Sequence, residues 1–220
     1  MNERAWQYLC QNRGVTRLCH LTNISSMFSM ALDASYNGIL ATAYIPLDNR
    51  YQNDHVRMDQ HTEYVNCSCQ YPNYKYFYRK QDCHKPFNTW CCLFLSPQIL
   101  LKRTAMYSPF NAARGSGKFI CSDMDTISRL FSHPDRRDRL RSCPDDIQAE
   151  ILIERDIPWS YVTGIAVEKA ETAQRIYRTL VYQYGRGCPR LYVAPDIFSN
   201  QCERFLCKGL RPQEEEWKDV

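Results

Sequence analysis

The sequence has no long hydrophobic run. Its longest purely apolar stretch is Trp90 to Leu95. A helix that spans a bilayer needs about 20 such residues, so neither a transmembrane helix nor a membrane partner is expected. The opening stretch MNERAWQYLC lacks the apolar core that a secretory signal carries. No repeat and no low-complexity segment is visible. No C-x-x-C pair occurs, and structural zinc usually takes ligand pairs spaced so that one turn chelates. The serine elbow G-x-S-x-G is missing. A phosphate loop is missing too. Arg114-Gly115-Ser116-Gly117-Lys118 comes near one, but its spacer is too short and Phe119 stands where Ser or Thr is needed. That glycine cluster reads as a surface turn or as a mobile, anion-touching loop. Charge of one sign is scarce. The net charge of +4 permits nucleic acid binding without demanding it.

What is present points to an ordinary folded chain. Apolar residues make up 44% and charged residues 24% of 220, which excludes a disordered chain, a collagenous repeat and a coiled coil. One domain over residues 1–210 is expected, followed by a charged, flexible tail at 211–220. Twelve cysteines are many for this length. They read as disulfides in a secreted chain, or as thiols and ligands in a cytosolic one. Neighbours such as Cys91-Cys92 and Cys67-x-Cys69 do not resemble a spaced framework. Reduced cysteines and a cytoplasmic location are expected.

Helices and strands interleave irregularly, which favours an α+β fold over regular βαβ units. Short strands are expected at Arg17 to Leu21, Tyr64 to Gln70, Trp90 to Leu95, Ile147 to Ile153, Tyr161 to Val167 and Arg190 to Ala194. Ile24, Met27, Phe28, Ala31 and Leu32 make one face of a helix capped by Thr22 or Asn23. Ser122 reads as the start of another. Glu168 to Tyr184 is the strongest helical stripe, stopped at Gly185. Pro46 to Thr62 reads as a long loop.

Several residues carry chemistry. Glu150 lies inside the apolar strand QAEILI. If Ala149, Ile151 and Ile153 face one way, Glu150 faces the other. It then either decorates an exposed face or projects into a cleft, since a carboxylate at a strand centre needs solvent or a partner. His20 ends a strand just before a helix cap, where a structural role is the ordinary one. Cys67, Cys69, Cys83, His84, Cys91 and Cys92 crowd one region but lack zinc spacing. Arg129 to Arg141 holds five arginines. The run is a solvated face, or it tracks a phosphate backbone while the aromatic patch YPNYKYFY stacks on bases.

In combination these segments resemble the DarT family of DNA ADP-ribosyltransferase toxins. RLCHLTNISSMFSM followed by GILA carries the resemblance, as do D-x-x-R-x-D at Asp54 to Asp59, V-N-x-S, YPNYKYF, NAARG and QAEILI–RDIPWSYVTGI. The likeness runs in order from about His20 to Val167. It implies an ADP-ribosyltransferase-like split mixed β-sheet with a central NAD cleft and flanking helices. It implies transfer of ADP-ribose from NAD to a base of single-stranded DNA, with NAD as substrate, no metal, and a macrodomain-type antitoxin as partner. Residue by residue, Ala149-Glu150-Ile151 matches the strand with the catalytic glutamate. His20 and Thr22 match the H-x-T that holds NAD. Arg57 matches the catalytic, NAD-binding arginine, with Arg79 as its rival. Asn111 is placed near the target base, and Arg136, Arg137 and Arg139 along the nucleic acid. RNA as the acceptor remains an alternative, as does an inactive nucleic-acid-binding module or a zinc-stabilised interaction protein.

Overall fold

A computed structural model describes residues 2–33, 35–46, 58–81, 89–133 and 138–219. The helices are α1 (Asn2–Trp6), α2 (Ile24–Leu32), α3 (Tyr74–Gln81), α4 (Met124–Arg129), α5 (Ala170–Tyr177) and α6 (Gln201–Cys207). The strands are β1 (Leu18–Asn23), β2 (Gly38–Leu40), β3 (Tyr64–Cys69), β4 (Trp90–Leu95), β5 (Ala105–Ser108), β6 (Glu150–Glu154), β7 (Asp156–Pro158), β8 (Val162–Val167), β9 (Arg190–Val193) and β10 (Glu215–Trp217). Among the described residues, eight strands form one sheet in the order β10-β9-β8-β4-β1-β3-β6-β5, and β2 pairs with β7. The sheet is mixed: β8 and β9 run parallel and its other pairs are antiparallel.

The central strand explains the layering. Every residue of β4 is buried, as expected of a continuous apolar run with both faces covered. Cys91, Leu93 and Leu95 face the main core, with Ile24, Met27 and Ala31 of α2 and Ala173 and Ile176 of α5. Trp90, Cys92 and Phe94 face a second core, with Tyr74 and Phe77 of α3 and Cys202 and Leu206 of α6. This alternation is the strand period of two.

The register of β1 shapes the molecule. β1 pairs with β4 along all six residues, Leu18 to Asn23. It pairs with β3 only at Leu18↔Cys69 and Cys19↔Ser68. Beyond that point β1 and β3 part, and the sheet splits, as the resemblance implied.

Local details differ from expectation in four places. Asp123, not Ser122, caps α4, its Oδ1 accepting from Thr126 N at 2.8 Å. The strand expected from Ile147 starts at Glu150, because Asp146 draws Gln148 N (2.8 Å) and Ala149 N (3.0 Å) into a turn. The aromatic patch is largely interior: Tyr71, Tyr74 and Phe77 are buried, and Tyr78 is exposed. Rings needed by the second core cannot also stack on bases. The tail expected to be flexible forms β10, which closes the sheet on β9. Trp217 packs on Tyr177 at 5.5 Å between ring centroids, and Glu214 pairs with Arg17.

Cys19, Cys67, Cys69, Cys91, Cys92 and Cys202 are buried free thiols. Burial pushes the thiols of Cys67, Cys69, Cys91, Cys92 and Cys202 up, so they stay protonated and pack as small hydrophobes. Cys83 and His84 lie outside the described residues. Among the described residues, no group of three His, Cys, Asp or Glu is placed to hold a metal ion, and no helix is long and apolar enough to cross a membrane.

Candidate active site at the split in the sheet

β6 positions the central carboxylate. Ile151 and Ile153 enter the main core, while Leu152 joins a small cluster with Ala112 and Ile120 on the other face. Glu150 shares the face of Leu152, as the sequence alternation predicts. In register, Glu150 stands between Ser68 of β3 and Ser108 of β5. It is 9% exposed.

Two N–H donors orient it. Oε1 accepts from the backbone N–H of Ala112 at 2.9 Å, and Oε2 accepts from Asn66 Nδ2 at 2.7 Å. The first donor comes from the segment after β5, which Ala112 pins by packing beside Leu152. The second is a diagonal cross-strand contact, since Asn66 is opposite Leu152. Both contacts come from donors, the partners that an acceptor-only carboxylate takes.

Asn66 extends the network. Nδ2 also donates to Asp59 Oδ2 at 3.1 Å, and Asp59 is 3% exposed. The glycine cluster closes over this point. Gly117 has φ +85°, and a Cβ there would sit 2.5 Å from the Asp59 carbonyl oxygen. Only glycine allows that approach, so the cluster is a packed turn beside the site.

His20 stands at the split, the first residue of β1 beyond its pairing with β3. Its Nδ1 lies 3.0 Å from the carbonyl oxygen of Asn66. A carbonyl only accepts, so Nδ1 donates in this contact, which fixes the ring's orientation. Thr22, two residues on, is 1% exposed, and its Oγ1 finds no hydrogen-bond partner. An unmatched buried hydroxyl on the part of β1 that has left β3 is a group a bound polar substrate would satisfy. Asn23, rather than Thr22, caps α2, accepting from Ser26 N at 2.7 Å.

The other expected residues are placed as follows. Asn111 accepts from Ala113 N at 3.1 Å and adjoins Ala112, the donor to Glu150. Arg79 is exposed on α3 and donates to Gln148 Oε1 at 3.0 Å. Arg139 is tied down locally, Nε donating to Pro144 O at 2.6 Å and Nη1 contacting Cys207 Sγ at 3.2 Å. Arg57, Arg136 and Arg137 lie outside the described residues. The structure thus brings together Glu150 and His20, joined through Asn66. Asn66, Asp59 and the Ala112 N–H were not among the expected site residues. Polar Asn66 and Ser68 alternating with Val65, Cys67 and Cys69 was the available signal for the first.

The sequence model of the family described as "ssDNA thymidine ADP-ribosyltransferase, DarT" matches residues 17–199. No curated protein sequence matches the chain. Solved structures do. Thermus sp. 2.9 DarT in complex with NAD+ superposes with a TM-score of 0.60 at 14% identity, covering 84% of this chain and 98% of that one. The same protein with ADP-ribosylated ssDNA gives 0.63 at 15%, covering 84% and 97%. Thermosipho africanus DarTG in complex with ADP-ribose gives 0.56 at 18%, covering 83% of this chain and 51% of that one.

Proposed function

This chain belongs to the DarT family of ssDNA thymidine ADP-ribosyltransferases, and from that premise we propose that Glu150 carries its reaction, with His20 and Thr22 holding NAD and a thymidine base of single-stranded DNA as the acceptor. The observation that carries the reading is the Glu150 carboxylate, buried and fixed by two N–H donors, one of them from Asn66, whose carbonyl meets His20 at the split.

NAD, when bound, supplies the ADP-ribosyl group and a nicotinamide leaving group. Cleavage of that glycosidic bond builds positive charge on the ribose. A carboxylate held in place stabilises such charge without reorganising at the moment of reaction. The His20 ring, oriented through Nδ1, is assigned to the ribose, and Thr22 Oγ1 is a buried hydroxyl that a polar substrate can satisfy. Arg57, by its D-x-x-R-x-D setting, is assigned the pyrophosphate, which a guanidinium clamps with paired hydrogen bonds; Arg79 is the alternative. Asn111, next to the residue that orients Glu150, is assigned to the target base. Arg136, Arg137 and Arg139 are assigned to the strand's phosphates. The DarTG neighbour supports a toxin partnered by an antitoxin, which the resemblance makes a macrodomain; a cytoplasmic site of action belongs to the same proposal and rests on the resemblance.

Incubation with NAD and oligonucleotides, read by intact mass, tests this. One ADP-ribose should add to single-stranded DNA containing thymidine and not to the same DNA without it. Labelling of RNA alone, or of no oligonucleotide, would overturn the reading.

A further inference from the structure

We propose that Asn66 is a positioning residue of the reaction, the hub that holds the Glu150 carboxylate and the His20 ring in register across the split. The proposal rests on the reading of Glu150 as the catalytic carboxylate.

Three contacts define the hub. Asn66 Nδ2 lies 2.7 Å from Glu150 Oε2 and 3.1 Å from Asp59 Oδ2. An ionised carboxylate accepts only, so the amide must turn its NH2 toward both, one hydrogen to each. The backbone carbonyl of the same residue fixes the orientation of the His20 ring at 3.0 Å. One residue of β3 therefore sets the position of one group on β6 and one on β1, on the two sides of the opening. Both carboxylates are buried. A buried carboxylate without its donors leaves its optimal position or takes up a proton. Asp would keep the shape of Asn66 but set a third acceptor against two others. Ser would reach less far and offer one hydrogen in place of two. The requirement is for two donors at this length, which among short side chains only Asn supplies.

A space-filling Asn66 and a positioning Asn66 differ in coupling. If Asn66 acts through Glu150, its replacement matters only while Glu150 is present, and the two losses do not add. Asn66→Ala, Glu150→Ala and the double variant are purified, checked by melting, and assayed for transfer from NAD to a thymidine-containing single strand. Asn66→Ala should lower kcat by about tenfold to a hundredfold, the scale of a small misplacement of a reacting group. NAD affinity should change by no more than about twofold, because the carbonyl that meets His20 is backbone and survives the substitution. In the Glu150→Ala background, adding Asn66→Ala should cost less than about threefold. Equal losses in both backgrounds would overturn the proposal and leave Glu150 in place. Parental transfer by Glu150→Ala would overturn the reading of Glu150 itself. Should Asn66→Ala not fold, Asn66→Ser runs through the same cycle with the same criteria.

Discussion

Glu150→Gln keeps size and shape and removes the charge, and the structure shows why it is not silent in the folded protein. Each carboxylate oxygen meets a donor: Asn66 Nδ2 at 2.7 Å and the Ala112 N–H at 2.9 Å. A glutamine has one oxygen. Whichever way its amide turns, an NH2 faces one of these donors and a hydrogen bond is lost. The orphaned buried N–H costs about 1–3 kcal/mol, a drop of roughly 3–10 °C in melting temperature at this chain length. A glutamate on an exposed strand face would lose no more than about 0.5 kcal/mol. Transfer should fall by about a hundredfold or more, the scale of one preorganised electrostatic group. The loss belongs to kcat, because the charge matters once the glycosidic bond is breaking, and NAD affinity should hold. Thermal melts, NAD titration and intact-mass kinetics on a single-stranded oligonucleotide read the three quantities separately. A variant that labels DNA at the parental rate would refute the mechanism. A variant that melts with the parent would refute the two-donor geometry.

Thr22→Val replaces an unmatched buried hydroxyl by a methyl, so stability should hold or rise by up to about 1 kcal/mol, while NAD titration shows weaker binding; unchanged NAD affinity removes Thr22 from the site. Asp156 is 5% exposed; burial raises its carboxyl, but bonds from Arg103 (3.0 Å) and Tyr36 (2.6 Å) outweigh this and hold it below the ordinary value. The folded state thus binds fewer protons there than the unfolded chain, and the stabilisation is complete above about pH 4 and drains away as pH falls toward the folded value. Melts from pH 5 to pH 2 should therefore show Asp156→Asn less acid-sensitive than the parent, though less stable near neutrality. Neutralising Arg136 and Arg137 should reduce the slope of log affinity against log salt by about 0.7 for each phosphate that no longer meets a cation; an unchanged slope returns the arginine run to a solvated face.

Much of the fold was legible because its signals are local. The run Trp90 to Leu95 is β4 residue for residue, since an unbroken apolar stretch of strand length has few other places to go. The α2 cap was legible as Thr22 or Asn23 from their place before a periodic helix face, and it is Asn23. Glu150 was legible as a charge inside an apolar strand. The donors that orient it were not. Asn66 reaches it across 84 positions of sequence and Ala112 across 38, and the Ala112 donor is a backbone N–H that no side-chain pattern records. The aromatic patch misled because composition counts rings and not their exposure. The tail misled because its many charges hid Trp217, whose ring and strand pairing dock it on α5 and β9.

The unmatched groups show what the site costs. Besides Trp6 Nε1 and Arg139 Nη2, which lie elsewhere, Thr22 Oγ1, Ser26 Oγ and Ser108 Oγ are buried without hydrogen-bond partners. Two of them sit where β1 turns into α2 at the edge of the split, and the third stands opposite Glu150 on β5. Each is a type of defect that folding alone selects against, because alanine or valine at the same point would remove the penalty. The same region holds two buried carboxylates, Glu150 and Asp59, on one amide. Three of the five unmatched groups among the described residues thus border the split, where a bound polar substrate can satisfy them. By mass action, NAD at free concentration c should then stabilise the fold by RT ln(1 + c/Kd), the newly satisfied hydroxyls entering through a tighter Kd. The apolar cores on either side of β4 supply the rigidity against which this concentration of unmet polarity is held.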